Sequence, residues 1–297
     1  MAQPTVAVVI PVFNGEKCLR EAILSALAQT YAPNEIIVVN DGSTDGTRSI
    51  VESFGNRVVC IDQINQGAAA ARNAGTKAAT SNWIAFLDAD DYWLPEKLEK
   101  QIAALERRPT ADLVYSGFTM TYVDGSLVEM RAEPFERTRK ILPFEDPIAT
   151  SSILARRSLL AANPWPTDLR SSEDWYLLHR LSRCAELICV EESGVIFRIH
   201  HESVTHHEWR KVWAYARLAA ARIQSEYHGL DRMILHLRVE ARLYANAAIA
   251  AREQDGRGFL PLISQSLLHW PFPDVRPDRY KLFLKMFMQS LSGQRPE

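Results

Sequence analysis

Two hydrophobic periods alternate along the chain up to Arg107. Short apolar runs, the mark of strands buried on both faces, cover Val6–Ile10, Glu35–Val39, Arg57–Ile61 and Trp83–Leu87. Pro11 is expected to end the first. Helical periods lie between them. Glu16–Gln29 places Leu19, Ile23, Leu24 and Leu27 on one face, and Asp45–Phe54 is entered through Ser43 or Thr44 as N-cap. Gly67–Ala79 is an alanine-rich helix, and Pro95 takes the first helical position of a segment running to Arg107. Four strands with helical crossovers predict right-handed connections and a parallel sheet.

From Ala111 the rhythm changes. Short strands at Leu113–Tyr115, Thr119–Val123, Ser152–Leu154, Leu187–Val190 and Val195–Ile199 surround one helix, Ser172–Arg183. They predict an α/β domain completed by mixed or antiparallel strands. After His207 the pattern is helical over Trp209–Tyr227, Arg232–Gln254, Gly258–Leu268 and Pro277–Leu291, with breaks at Gly229, Gly256 and Pro271–Pro273. The division is an α/β domain over 1–206 and a helical region over 207–297.

Composition adds little. The 297 residues are 47% hydrophobic, enough for a sizeable core, and the formal net charge of −2 argues against nucleic acid as a bulk partner. Cys18, Cys60, Cys184 and Cys189 are scattered, so reduced, mostly buried thiols are expected. There is no basic-then-apolar leader and no apolar stretch near the roughly 20 residues that span a bilayer. A cytoplasmic location follows as the expectation.

Chemistry concentrates where strands end, the ligand-binding edge of an open α/β sheet. Asp88-Ala89-Asp90-Asp91 follows a buried strand, and like charges so close call for a cation or free water. A hard divalent ion carrying a phosphorylated ligand is favoured over plain turn chemistry. Val9–Gly15 makes a turn exposing backbone groups, without the glycine pattern of a dinucleotide site or a P-loop. Asp41 is either a base or ribose acceptor or part of an Asx-turn and helix cap. Arg72, the one charge between Asp62 and Lys77, either reaches a phosphate or base or sits on a solvated face. Asp174, with Ser171 as N-cap, fits a capping box, which is preferred over a general-base role. Four of the eight histidines (His200, His201, His206, His207) crowd one short stretch.

Taken in order, VAVVIPVFNG, SALAQTY, EIIVVNDGSTDGT, NQGAAAARNAG, WIAFLDADDYW, SEDWYLLHR and FRIHHESVT resemble the inverting, nucleotide-sugar-dependent glycosyltransferases of the GT-A fold, family 2. The likeness covers residue 6 to about 205. It implies a Rossmann-like, mainly parallel sheet with a C-terminal helical extension outside the likeness. It implies that Pro11, Val12 and Asn14 line the nucleotide, that Asp41 holds the base and that Arg72 approaches base or diphosphate. Asp88-Ala89-Asp90 becomes the Asp-x-Asp motif, with Asp88 near the ribose and Asp90 on Mg²⁺ or Mn²⁺. Asp91 and Glu173 sit by the donor sugar, Asp174 is the catalytic base, and His200 reaches the metal or diphosphate. The chain departs at His201-Glu202, where smaller residues are usual, so which histidine acts stays open.

The implied reaction is a single displacement from a nucleoside-diphosphate sugar, with uridine as the expected base, onto a glycan, lipid-linked or protein hydroxyl. A non-catalytic sugar-nucleotide binder is the rival. A metal-dependent phosphohydrolase is disfavoured because Tyr92 breaks its Asp-x-Asp-x-Thr/Val motif, and a nucleotidyltransferase because PVFNG lacks a basic residue. The apolar stretch Tyr280–Met288 packs on the protein or a second subunit, or rests on a membrane surface at the cytoplasmic face.

Overall fold

The computed structural model describes residues 3–122, 124–199, 209–255 and 259–270. Strands β1 (Val6–Val12), β2 (Glu35–Asn40), β3 (Val59–Asp62) and β4 (Trp83–Phe86) pair in parallel in the order β3-β2-β1-β4. Helices α1 (Leu19–Leu27), α2 (Thr47–Glu52) and α3 (Ala68–Ala78) make the crossovers. Every residue of β1 is buried. The strand runs past Pro11 instead of stopping there. The carbonyl of Val9 serves the β4 side, accepting from Leu87, and that of Val12 serves β2, accepting from Asp41. Pro11 therefore faces the β4 side beyond the last pair, Val9 with Phe86, where no ladder bond needs its missing N–H.

The rest of the sheet is mixed. Strands β5 (Tyr92–Trp93), β6 (Leu113–Thr121), β7 (Leu127–Met130), β8 (Leu154–Arg156) and β9 (Leu187–Arg198) continue it in the order β4-β8-β6-β9-β5, with β7 on β6. The two short strands expected at Leu187–Val190 and Val195–Ile199 are one strand, irregular in register opposite Gly117, and Leu113–Tyr115 likewise runs on as β6. The polar Glu191–Ser193 interruption is absorbed as a bulge.

Helices α4 (Lys97–Arg107), α5 (Phe135–Ile141), α6 (Arg157–Ala162) and α7 (Glu173–Cys184) cover the sheet. Three local expectations change. Pro95 is not the first helical residue of α4, whose N-cap is Glu96; its carbonyl instead accepts from Thr30. Leu24 of α1 is 48% exposed, because five residues after Leu19 it falls about 140° round the helix. The buried face is Leu19, Ala22, Ile23 and Ala26. The cysteines are free as expected, yet none is buried: Cys184 is exposed and the others half-buried.

The described residues form two compact units, one of residues up to 142 with 146–199, the other of 143–145 with the later helices. The second holds α8 (Trp209–Ser225), α9 (Gly229–Asp255) and α10 (Phe259–His269). Its small residues pack closely: Ala219, Ala220, Ala241 and Ala248 are buried, and Ser266 Oγ donates to the Ala241 carbonyl at 2.6 Å. The segment Pro277–Leu291, with Tyr280–Met288, lies outside the described residues.

Helix α3 carries Arg72 to the carboxyl rim of the sheet. It lies so close on β1 and β2 that a Cβ on Gly75 would sit 2.4 Å from Val9 Cγ1 and 3.3 Å from Val39 Cγ2. Alanine would gain about 1 kcal/mol of helix propensity, but overpacking costs about 1–3 kcal/mol. Gly75→Ala should therefore lose up to about 2 kcal/mol in urea unfolding; a stabilised variant would show that α3 is loosely seated.

Candidate active site

Three loops at the carboxyl rim lock one another. Asn14 takes a left-handed conformation (φ +53°), which asparagine tolerates better than most residues. Its N–H donates to Ser43 Oγ at 2.9 Å and its Oδ1 accepts from Thr44 N at 2.8 Å. Gly15 N donates to Thr47 Oγ1, and Glu16 Oε2 accepts from Gly46 N. The expected Ser43 or Thr44 cap is thus replaced: Gly46 holds the N-cap position of α2, and Asp45 accepts the Thr47 N–H. Ala89 sits beside this corner, 3.7 Å from where a Cβ on Gly15 would lie.

Asp41 is 3% exposed and does not fold onto its own turn; Asn40 makes that contact, accepting from Ser43 N. Asp41 Oδ1 accepts from Gln63 Nε2 and Gln66 N, and Oδ2 from Gly67 N at 2.7 Å. The carboxylate therefore pins the loop that leads into α3.

Arg72 is buried, not on a solvated face. Its Nη2 meets Asp88 Oδ1 at 2.7 Å, its Nη1 meets Glu173 Oε1 at 2.8 Å, and the guanidinium lies 4.6 Å from the Trp165 ring centroid. Nε is buried without a hydrogen-bond partner. Burial works against the cation, yet Asp88 and Glu173 hold its proton more tightly than usual. One side chain so joins the end of β4 to the start of α7.

Asp88 and Asp91 close a turn, with Asp91 N on the Asp88 carbonyl. Asp91 is buried; its Oδ2 accepts from Ser151 Oγ at 2.5 Å and its Oδ1 from Arg198 N. Arg198 also holds the Asp90 carbonyl and Glu21. Burial, reinforced by Asp90 and Asp88, raises the Asp91 carboxyl well above the usual range. Burial likewise raises Asp88, against the pull of Arg72 and with the help of Asp90. Acidic side chains gather here: Asp88 and Glu173 pair with Arg72, and Asp90, Asp91 and Asp174 lie beside them in sequence. Among the described residues no three acidic or imidazole groups form a ready cage for an ion. Mg²⁺ and Mn²⁺ need none, since one or two carboxylates and substrate phosphates complete their shell. The all-oxygen donor set of these carboxylates fits such an ion. His200, His201, His206 and His207 lie outside the described residues.

Asp174 is not part of a capping box. Helix α7 begins one residue later than expected, after Ser172 at φ +60°, and no side-chain cap bond forms there. Asp174 accepts the N–H of its neighbour Trp175 at 2.8 Å and faces Thr150 Oγ1 at 3.4 Å. Burial first, then the adjacent Glu173 charge, lift its carboxyl to about 6, against Arg72.

Sequence reasoning missed four contributors. Phe13, 53% exposed, presents an aromatic face at the rim. Thr150 and Ser151 come from a short helical turn, Thr150–Ser152, and Trp165 floors Arg72 from a loop 93 residues away in sequence. Only Phe13 had a signal, as a large apolar residue inside a turn.

The family model of glycosyl transferase family 2 matches residues 7–161. Curated relatives match over part of their length. An uncharacterized glycosyltransferase of Rickettsia prowazekii is 43% identical over 118 residues, which span 39% of this chain and only 37% of that protein. The UDP-Glc:alpha-D-GlcNAc-diphosphoundecaprenol beta-1,3-glucosyltransferase WfgD of Escherichia coli is 33% identical over 174 residues, 58% of this chain and 67% of the relative. Among solved structures, S. aureus TarS 1–349 in complex with UDP-GlcNAc has a TM-score of 0.65 at 20% identity, covering 89% of this chain and 81% of that one. The mannosyltransferase PcManGT of Pyrobaculum calidifontis, in complex with GDP-Man and Mn²⁺, has a TM-score of 0.59 at 19% identity over 96% and 84%. These likenesses carry the fold, GT-A with a helical C-terminal region. With more than half its residues matched by the family model, the chain belongs to glycosyl transferase family 2.

Proposed function

We propose that the chain moves a sugar from a nucleoside-diphosphate sugar, with UDP the expected carrier, to an acceptor hydroxyl by one inverting displacement. The observation that carries this is the meeting of Arg72, Asp88, Glu173 and Asp174 where the end of β4 faces the start of α7. The nucleotide lies along Pro11, Val12, Asn14 and Asp41, with the Phe13 ring as a stacking face. Arg72 and Asp88 flank its ribose and diphosphate, Ala89 leaves room beside Gly15, and Asp91 and Glu173 border the donor sugar. Asp174 takes the acceptor proton as that oxygen attacks the anomeric carbon. Its raised proton affinity suits this, because a base poised near neutrality is both free and strong enough. Asp90, with His200 as a second ligand from the resemblance, would hold Mg²⁺ or Mn²⁺, which when bound supplies countercharge to the departing diphosphate.

The activity for which WfgD is named and the UDP-GlcNAc held by TarS support a UDP-linked donor, and WfgD supports a lipid-linked glycan as acceptor. PcManGT supports a divalent ion. No helix among the described residues is long and apolar enough to cross a membrane. Peripheral seating at the cytoplasmic face, through the C-terminal helices, is the arrangement that would meet a lipid-linked acceptor; pairing of two copies through the same helices is the other use we assign them.

Asp174 acts deprotonated, so kcat/KM should rise with pH through about 6 and level off above it. Asp174→Asn should lose at least ~100-fold in turnover. A carboxyl whose proton affinity is raised by folding weakens the fold once ionised, so this variant should be no less stable than wild type above pH 6. Near-normal turnover with lost stability would make Asp174 a helix-terminus residue only. Asp90→Ala should abolish the gain in UDP affinity that Mn²⁺ provides, read by calorimetry; an unchanged Mn²⁺ dependence removes Asp90 from the metal.

A further inference from the structure

We infer that Arg170 reads the nucleobase, donating to a ring carbonyl oxygen so that the site takes a keto base, uracil or guanine, over an amino base. This rests on the proposed donor site and deepens it. Arg170 is exposed and ends the loop that leads into Ser172 and α7. Its guanidinium lies against the backbone of Gly67: a Cβ there would meet Nη1 at 2.8 Å and Cδ at 3.3 Å. Gly67 also has φ +92°, a conformation that favours glycine.

Arg170 makes one long hydrogen bond, 3.5 Å to the neutral Asn65 Oδ1, and among the described residues no carboxylate pairs with it. On the other side of the same glycine lies Asp41, whose Oδ2 takes the Gly67 N–H. Asp41 Oδ1 already accepts two bonds and Oδ2 one, which leaves an acceptor site on Oδ2. Gly42 brings the first loop cluster against the same segment, where an added Cβ would lie 3.0 Å from Asn65 N. An acceptor-only group and a donor-only group therefore flank one backbone position.

That pair has a chemical complement. Uracil offers N3–H beside the O4 carbonyl, and guanine offers N1–H beside O6. Cytosine and adenine invert both positions, with a ring nitrogen acceptor beside an amino group. They would set acceptor against carboxylate and donor against guanidinium. Discrimination of this kind is strong because a mismatched site leaves its own polar groups unpaired.

The test is calorimetric binding of UDP, GDP, CDP and ADP, each with Mn²⁺, to the full chain and to Arg170→Met and Arg170→Lys. Wild type should prefer UDP to CDP by at least ~10-fold, the scale of one charge-assisted hydrogen bond. Arg170→Met should weaken UDP by about that factor, leave CDP unchanged, and leave inhibition by inorganic pyrophosphate unchanged. Arg170→Lys, which keeps a donor, should recover part of the preference. A UDP-to-CDP ratio unchanged in Arg170→Met overturns the inference. So does an equal loss for UDP, CDP and pyrophosphate, which would place Arg170 on the phosphates. Wild-type protein that binds none of the four diphosphates overturns the donor reading itself.

Discussion

One buried guanidinium ties the acids at the end of β4 to those that open α7. Arg72 offsets its desolvation through two short ion pairs and a ring face, and each partner comes from a different part of the chain: Asp88 from the end of β4, Glu173 from the start of α7, Trp165 from the loop between α6 and α7. An exposed pair of this kind would contribute little. Buried, it is asymmetric: losing either partner strands a charge away from water, at about 3–5 kcal/mol. The contact is therefore better understood as a device for placing two carboxylates than as a source of net stability. It works because α3 is held on β1 and β2 at the distance Gly75 permits.

The same geometry sets the electrostatics. Burial first, then neighbouring carboxylates, leaves acids here that hold their protons more tightly than usual. Burial raises Asp91 well above the usual range and Asp174 to about 6. A site in that state favours a cation and keeps a base near neutrality. Among the described residues the two non-glycine residues with positive φ are Asn14 and Ser172, and local strain of that sort persists where the surroundings over-determine it. Asn14 is held by Ser43 and Thr44, while Ser172 precedes the two acids of α7.

The parallel half of the sheet was legible because buried strands and crossover helices carry distinct periods, and β1 to β4 with α1 to α3 follow them. What the period could not show was continuity through a bulge, so β9 looked like two strands. It also could not show which of two good explanations a polar residue obeys. Asp174 and Arg72 each had a local account, a capping box and a solvated face, and both local accounts failed for a tertiary reason: Arg72 is turned inward by charges 16 and 101 residues away. Thr150, Ser151 and Trp165 left no trace in the sequence, since their roles depend only on which loops meet.

The most direct measurement is a double-mutant cycle on Arg72→Met and Glu173→Gln, followed by urea unfolding. Removing Arg72 alone leaves Asp88 and Glu173 buried without their cation, so a large loss is expected. Adding Glu173→Gln should give part of it back, with a coupling energy of at least about 1 kcal/mol. Strictly additive losses would mean that the guanidinium does not tie α7 to the sheet, and the acids would have to be held together by something else.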